Sequence, residues 1–343
     1  MSNINGFVNL GNTCYFNSTL QLLFTIKELK NYFVNKGFIE ELNSKLKKNN
    51  FKKNKNLKKN IQLIKNFYSL ISDYTNNNDK TLTPKNLLTS IQNLNSDFVG
   101  YNQHDSQEIL LLIMDLIHEN LKYDVDVNYQ GTPKNNIDLL VIESINALSK
   151  ILDYKYSIIN ELFYGMYYCQ YKSIENDSYD KVISKKFEHF NNLTLEFDGN
   201  NLIENLDIFF KNEILESKLI DDKTNLKYKV TKDIKIVNSP KYLFITLKKY
   251  NHLKKKNNLK YTFPIYNMDF SKYCLGYDSY QCSYDLIGVS CHTGTLDFGH
   301  YYSVLNINNN WFIANDDEIN KFNIEKNKNK LFNDAYVLLY IKN

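Results

Sequence analysis

"GNTCYFNSTLQLLF", residues 11–24, has a single cysteine at the point where a polar loop gives way to an apolar segment. The apolar residues after it recur at the spacing of one helix face: Phe16, Leu20, Leu23 and Phe24. This spacing predicts an amphipathic helix that begins near Cys14, with Asn12 or Thr13 as its N-cap. A free cysteine usually packs as a small hydrophobe, but a helix N-terminus with a nearby imidazole converts a thiol into a nucleophile. Both interpretations of Cys14 are open at this point.

Length and composition limit the class of protein. With 343 residues, of which 43% are hydrophobic, the chain can bury the core of one large domain or two ordinary ones. It has no apolar run of about 20 residues, and its start lacks the order of a signal peptide. Five cysteines without a CxxC pair favour reduced thiols over disulfides or a zinc site. We therefore expect an intracellular protein of a reducing compartment, cytoplasm or nucleus, without a membrane partner or a bound metal.

The positive charge comes entirely from lysine, since none of the 42 basic residues is an arginine. Guanidinium groups that could bind phosphate or guanine through two hydrogen bonds are therefore missing. The run from Lys45 to Lys65 is rich in Lys and Asn, which is typical of a solvated loop or an exposed helix face. A nucleic-acid patch is the alternative, and its binding would weaken steeply with salt. We expect no nucleic-acid partner.

The order of predicted elements indicates the fold class. A second helix is predicted in "NQHDSQEILLLIMDLIHENL", residues 102–121. From about residue 161 the pattern turns to strands, in "LFYGMYYCQYK" (162–172), "YLFITLKKY" (242–250), "YDLIGVSCHTG" (284–294), "HYYSVLNIN" (300–308), "NNWFIAND" (309–316) and "AYVLLYIK" (335–342). Helices followed by strands predict an α+β fold rather than an alternating parallel one.

One of the six histidines stands in a position to act on a thiol. The stretch from His300 to residue 316 is predicted to form a β-hairpin whose turn lies in residues 308–310. Folding about that turn brings His300 opposite a residue between 315 and 318, so that an amide or carboxylate can orient the imidazole. Period-2 alternation leaves the choice between Asn315 and Asp316 open.

Three segments together resemble the ubiquitin-specific protease family. "GFVNLGNTCYFNSTLQLLF" (6–24) is similar to its cysteine box, "GYNQHDSQEILLLIMDLI" (100–117) to the block that follows, and "YDLIGVSCHTGTLDFGHYYSV" (284–304) with "WFIANDDEI" (311–319) to its histidine box. The resemblance extends in the family's order from Gly6 to Tyr340. It implies a single papain-like α+β catalytic domain over residues 1–343, with a helical thumb (1–125), fingers and adjoining strands (160–245) and a palm sheet (246–343).

The resemblance also implies a role for each matching residue. Cys14 would be the nucleophile, His300 the general base and Asn315 the third member of the triad. Asn9 falls where the family places its oxyanion-hole amide, a donor that is typically worth about 3 kcal/mol. Asp316 matches an acidic position that assists the site from the side.

Two further carboxylates have two possible roles. Asp105 and Glu108 have the spacing of a capping box. In the resembling family these positions contact the basic tail of ubiquitin, and both roles are compatible.

The zinc-binding cysteines of many family members are missing from this chain. Only Cys169 stands near their place, and none of residues 170–273 is a cysteine. The fingers are therefore expected to be held by strand pairing alone, without a metal.

The implied function is a cofactor-free hydrolysis of the isopeptide or peptide bond after the C-terminal glycine of ubiquitin, with ubiquitin or ubiquitinated proteins as partners. Two alternatives stay open: the same chemistry on another ubiquitin-like modifier, and a catalytically weak ubiquitin-binding module. The presence of a nucleophile, a base, an orienting amide and an oxyanion amide argues against the second.

Overall fold

The computed structural model describes residues 4–48, 55–76, 80–100, 102–249, 261–295 and 298–343. Ten α-helices lie in these residues: α1 Cys14–Thr25, α2 Lys27–Val34, α3 Phe38–Lys48, α4 Lys55–Asn76, α5 Lys85–Gln92, α6 Ser106–Leu121, α7 Asn136–Ile151, α8 Ile158–Phe163, α9 Leu202–Phe209 and α10 Ile324–Asp334.

The same residues contain sixteen strands: β1 Tyr123–Asp124, β2 Lys155–Tyr156, β3 Gly165–Ser173, β4 Val182–Phe190, β5 Leu193–Glu196, β6 Glu213–Ile214, β7 Leu219–Ile220, β8 Lys227–Tyr228, β9 Val230–Asn238, β10 Tyr242–Lys248, β11 Met268–Asp269, β12 Ser283–Gly294, β13 Gly299–Ile307, β14 Asn310–Asn315, β15 Glu318–Lys321 and β16 Ala335–Lys342.

The helix that begins at Cys14 lies at the centre of the molecule. Every residue of α1 from Cys14 to Phe24 is buried, so the predicted amphipathic helix is in fact enclosed on all sides. Its polar side chains find partners inside the protein: the Thr19 hydroxyl donates to the Ser106 carbonyl (3.0 Å), and the Gln21 amide donates to the Asn5 carbonyl (2.7 Å). Pairing of this kind removes the penalty of burying polar groups. The central helix therefore holds Cys14 in a rigid frame.

An eight-stranded sheet packs against α1. Its order is β15-β14-β13-β12-β16-β10-β5, with β11 beside β12, and its pairs are antiparallel except β10 with β5. Successive side chains point to opposite faces of the sheet, and each face borders a different hydrophobic core. Leu305 and Leu339 join the core that contains α1 and α6, whereas Val304 and Leu338 join the core that contains α9 and α10. The hairpin β13–β14 thus carries residues toward α1 on one of its faces only.

A separate four-stranded antiparallel sheet, in the order β4-β3-β9-β6, is formed by strands that lie between Gly165 and Asn238. Cys169 is buried in it among apolar side chains. The prediction that strand pairing alone holds this region is incomplete. Ion pairs also tie its loops together, Lys181 to Asp221 (2.7 Å) and Lys218 to Glu175 (3.1 Å).

Several elements differ from the sequence-based expectation. No helix was predicted for residues 136–151, yet α7 forms there and packs on the four-stranded sheet. The predicted strand 162–172 is shorter, because its first two residues end α8, which Ser157 caps by accepting from the Ile159 N–H (3.2 Å). Because α9 and α10 follow strands, the helices do not all precede the sheet.

The lysine-rich run from Lys45 to Lys65 is only partly a solvated face. It enters α4, where Leu57, Ile61 and Ile64 are buried in the core. Residues 49–54 of the run lie outside the described part of the chain, as does Tyr250 of the predicted strand 242–250, of which β10 covers Tyr242–Lys248.

Candidate active site

The Cys14 side chain lies at the first residue of α1 and is only 3% exposed. Thr13 occupies the N-cap position, but its side chain makes no cap bond; its oxygen instead accepts from the Leu10 N–H (2.8 Å). The structure thus confirms Thr13 as the N-cap residue, but its hydroxyl faces back into the loop and does not bond the N–H groups of α1. Cys14 therefore lies at the N-terminal, positive end of the α1 helix dipole.

His300 is oriented by Asn315. The His300 Nε2 atom lies 2.6 Å from the Asn315 Oδ1 atom. Because an amide oxygen only accepts, Nε2 carries the hydrogen, and Nδ1 is left as the nitrogen that faces the thiol. The structure chooses Asn315 over Asp316, the alternative that the sequence left open.

The hairpin register explains this choice. The strands pair from Ile307–Asn310 to Ser303–Ala314, and Asn308 and Asn309 form a two-residue turn with φ of 51° and 63°. Such left-handed turn residues are typical of a type I′ hairpin. Continuing this register places residue 315 across from residue 302, so Asn315 and His300 are diagonal neighbours on one face. The predicted hairpin is thus present, and its turn length brings the amide to the imidazole.

The surroundings of His300 raise its pKa from 6.5 to about 9. The hydrogen bond with Cys14 is the largest cause, burial opposes it, and the hydrogen bond with Asn315 and the charges of Cys14 and Asp316 add to the rise. A raised pKa means that the imidazole keeps its proton at neutral pH. His300 is therefore ready to act as an acid beside the sulfur.

This shift predicts the alkaline side of the pH profile. Because His300 must hold a proton to act as an acid, we expect kcat/KM to fall as the pH rises through about 9 rather than through 6.5. Asn315→Ala removes one cause of the rise, so its profile should fall at lower pH. The measurement is kcat/KM from pH 6 to 10 for both forms; identical profiles would contradict this account of the pKa.

Asn9 is held at both ends of its amide. Its Oδ1 accepts from the backbone N–H groups of Gly11 (3.0 Å) and Thr13 (3.1 Å), and its Nδ2 donates to Asp316 Oδ2 (2.9 Å). These partners fix which end of the amide is nitrogen, because the N–H donors must meet the oxygen. Only one of the two Nδ2 hydrogens goes to Asp316. Asn9 is exposed, so the amide lies at the surface of the site.

Asp316 accepts hydrogen bonds both from the loop before α1 and from α1 itself. One carboxylate oxygen accepts from Asn9 and the other from the Asn17 Nδ2 atom (2.8 Å). Its backbone has a φ of 52°, and its carbonyl accepts from the Phe7 N–H (2.8 Å). A left-handed backbone at a non-glycine residue is uncommon and requires such support. The acidic residue expected beside the site thus contacts Asn9 and not His300 directly.

The predicted carboxylates Asp105 and Glu108 lie in different environments. Asp105 caps α6 by accepting from the Gln107 N–H (2.6 Å), and it also accepts from the Tyr336 hydroxyl. Burial raises its pKa. Glu108 is exposed, and burial and the nearby Asp105 charge raise its pKa. The capping role of Asp105 is therefore visible in the structure.

Three side chains near the start of α6 link the helices to the large sheet. Besides Asp105, the Gln103 amide bonds both backbone groups of Gly299, donating to its carbonyl (2.8 Å) and accepting from its N–H (3.1 Å), and Gln107 donates to the Thr194 hydroxyl (3.1 Å). Gly299 directly precedes His300. Sequence reasoning missed Gln103, Tyr336 and Asn17; for Asn17 the signal was its place one helical turn after Cys14.

Among the described residues, no group of three or more His, Cys, Asp or Glu side chains could hold a metal ion. All five cysteines are free thiols and buried. In that same part of the chain, no helix has the length and apolarity needed to cross a membrane.

A thiol at a helix N-terminus, facing an imidazole and an amide on an antiparallel sheet, is the arrangement typical of the papain-like class of cysteine peptidases. The family model described as ubiquitin carboxyl-terminal hydrolase matches residues 5–340, and the chain belongs to that family. The family and the α+β fold expected from the sequence are thereby confirmed.

Individual relatives agree with this assignment. Ubiquitin carboxyl-terminal hydrolase 2 of Bos taurus is 26% identical over 352 residues, covering 98% of this chain and 54% of the relative. Ubiquitin carboxyl-terminal hydrolase 12 of Saccharomyces cerevisiae is 32% identical over 198 residues, covering 53% of this chain and 15% of the relative. This chain thus spans about half the length of the first of these relatives and less of the second.

Solved structures share the fold. The SAGA DUB module of Ubp8, Sgf11, Sus1 and Sgf73 bound to monoubiquitin gives a TM-score of 0.69 at 23% identity, covering all of this chain and 70% of the matched one. The same module bound to ubiquitin aldehyde gives a TM-score of 0.69 at 22% identity, again over the whole chain and 70% of the other.

Proposed function

We propose that this protein is a deubiquitinating cysteine peptidase, which hydrolyses the isopeptide or peptide bond after the C-terminal glycine of ubiquitin. The observation that carries the proposal is the alignment of Cys14, His300 and Asn315. These residues come from opposite ends of the chain, yet their side chains form one hydrogen-bonded row in which the imidazole keeps a proton beside the thiol. A packing role for Cys14 does not account for that row, and neither does nucleic-acid binding by the lysine-rich run.

The chemistry then follows in two stages. The Cys14 thiolate adds to the carbonyl carbon of the glycine, and the second Nδ2 hydrogen of Asn9 binds the oxygen as it becomes negative. When the tetrahedral intermediate collapses, the C–N bond breaks and His300 protonates the leaving lysine amine, so a thioester remains on Cys14. Water then adds to the thioester with neutral His300 as base, which releases the ubiquitin carboxylate and restores the thiol–imidazole pair. No cofactor takes part.

Ubiquitin is the proposed partner because the family is described as ubiquitin carboxyl-terminal hydrolase, and because a similar fold has been solved with monoubiquitin bound. We propose that Glu108 and Asp105 contact the basic residues of its C-terminal tail. Glu108 is exposed, whereas Asp105 also caps its helix and bonds Tyr336, so Glu108 is the more available of the two.

The subdomains belong to the same proposal. Residues 1–125 would form the helical thumb, 160–245 the fingers with adjoining strands, and 246–343 the palm sheet, in one catalytic domain over 1–343. The four-stranded sheet β4-β3-β9-β6 is the element that would grip the globular part of ubiquitin. Five unpaired cysteines support a reducing intracellular compartment.

The test is covalent capture. The protein is incubated with ubiquitin whose C-terminal glycine carries a thiol-reactive group, in parallel with Cys14→Ala and with the same group on another ubiquitin-like modifier. We expect a ubiquitin adduct that maps to the Cys14 peptide and is absent from Cys14→Ala. An adduct formed only with the other modifier would identify that modifier, and not ubiquitin, as the substrate. If the folded protein binds ubiquitin but forms no adduct, the proposed enzymatic function is refuted and a ubiquitin-binding module is favoured.

A further inference from the structure

Asn17 is a buried amide that no step of the proposed reaction uses. It is 2% exposed and lies one turn after Cys14 in α1. Its Nδ2 atom faces three acceptors: Asp316 Oδ1 (2.8 Å), the Phe7 carbonyl (3.3 Å) and the Val8 carbonyl (3.4 Å). By distance, the carboxylate is the strongest of these partners.

The oxygen end of the Asn17 amide differs from its nitrogen end. Asn17 Oδ1 is buried and has no hydrogen-bond partner among the described residues. Buried polar atoms are normally paired, so an exception calls for a reason. An apolar side chain of similar size would avoid the unpaired oxygen but would also lose the N–H donor. The surroundings are therefore built around the NH2 group of Asn17.

That NH2 group lies at the end of a row of three side chains. Asn17 donates to one oxygen of Asp316, and the other oxygen accepts from Asn9. With both oxygens engaged, the carboxylate cannot rotate without breaking a bond on one side. The Nδ2 end of the Asn9 amide, and hence its second hydrogen, is therefore held by Asn17 through Asp316, while Gly11 and Thr13 hold the Oδ1 end.

We infer that Asn17 is a positioning residue for the proposed hydrolysis, because its Nδ2–H bond fixes the Asp316 carboxylate and through it the Asn9 amide at the oxyanion site. Asn17 touches no reacting atom. Its action rests on the proposed function and deepens it, by extending the oxyanion site from a loop residue to the central helix. The alternative is that Asn17 only ties the segment at Phe7 and Val8 to α1.

A double-mutant cycle separates these two roles. Asn17→Ala should lower kcat about tenfold with KM unchanged, since misdirecting an oxyanion donor costs part of its effect. In the Asn9→Ala background the same change should alter kcat less than twofold, because the group it positions is already gone. Thr19→Val, which removes an equally buried hydrogen bond of α1 away from Asp316, is the control and should leave kcat unchanged.

Two further measurements keep the outcome clear. Asn17→Leu fills the volume and guards against a simple loss of folding, and thermal unfolding identifies any variant that is not native. The Asn9 side-chain NH2 resonances, assigned by their loss in Asn9→Ala, should shift in Asn17→Ala and stay in place in Thr19→Val. This readout needs no ubiquitin, so it tests the positioning role even if the capture experiment fails. A tenfold loss that persists without Asn9, or Asn9 resonances that do not move, would overturn the inference.

Discussion

His300→Ala is expected to lower kcat for a ubiquitin isopeptide about 10⁴-fold, because one side chain serves as both acid and base in the proposed cycle. The substitution also removes the imidazole that is hydrogen-bonded to the Cys14 side chain and interacts with its charge. KM should change little, since the imidazole lies at the reacting bond and not along the bound tail. The measurement is single-turnover and steady-state hydrolysis of a ubiquitin–lysine isopeptide.

The leaving group gives this prediction a sharper form. A lysine amine must be protonated as it departs, whereas a thiol departs as an anion. We therefore expect the loss in His300→Ala to be clearly smaller for a ubiquitin thioester than for the isopeptide. His189→Gln, at an exposed position of β4, is the matched control for the chemical step, and its single-turnover rate at saturating isopeptide should equal that of the parent. A loss below tenfold in folded His300→Ala would remove His300 from the mechanism.

Asn9→Ala is expected to lower kcat by roughly 10²–10³, with KM nearly unchanged, as the removal of an oxyanion donor does in other hydrolases. Two backbone N–H groups and Asp316 hold this amide before substrate arrives, so its donor needs no reorganisation during the reaction. Capture by the thiol-reactive ubiquitin should slow as well, in proportion to the negative charge that develops on the attacked group.

The control for Asn9 is an asparagine in β15, at the outer edge of the large sheet. Asn320 is exposed in β15, and Asn320→Ala should behave as the unmodified protein. Asn9→Ala also removes the acceptor of two backbone N–H groups, so thermal unfolding is measured alongside, and kcat is compared at a temperature where both forms are folded. A kcat within threefold of the parent would show that the oxyanion is stabilised elsewhere.

The sequence predicted those features that depend on local periodicity or on short ordered motifs. It placed the start of α1 at Cys14, the helix α6 and the hairpin that carries His300, because each is encoded by residues within about twenty positions of one another. It failed for α7, which packs on a sheet formed by residues far along the chain. It also failed for the burial of α1, since a helix enclosed on all sides shows the same apolar spacing as one with a solvated face.

The sequence by itself determined the family, the nucleophile candidate and the histidine opposite it. Only the tertiary structure decided how these groups are held. The bond between Asn9 and Asp316 joins residues 307 apart in the chain, and the bond between Asn17 and Asp316 joins residues 299 apart. No periodicity extends over such a distance. These contacts exist because the large sheet brings the end of β14 against the loop before α1, where a carboxylate with two free oxygens meets two amides.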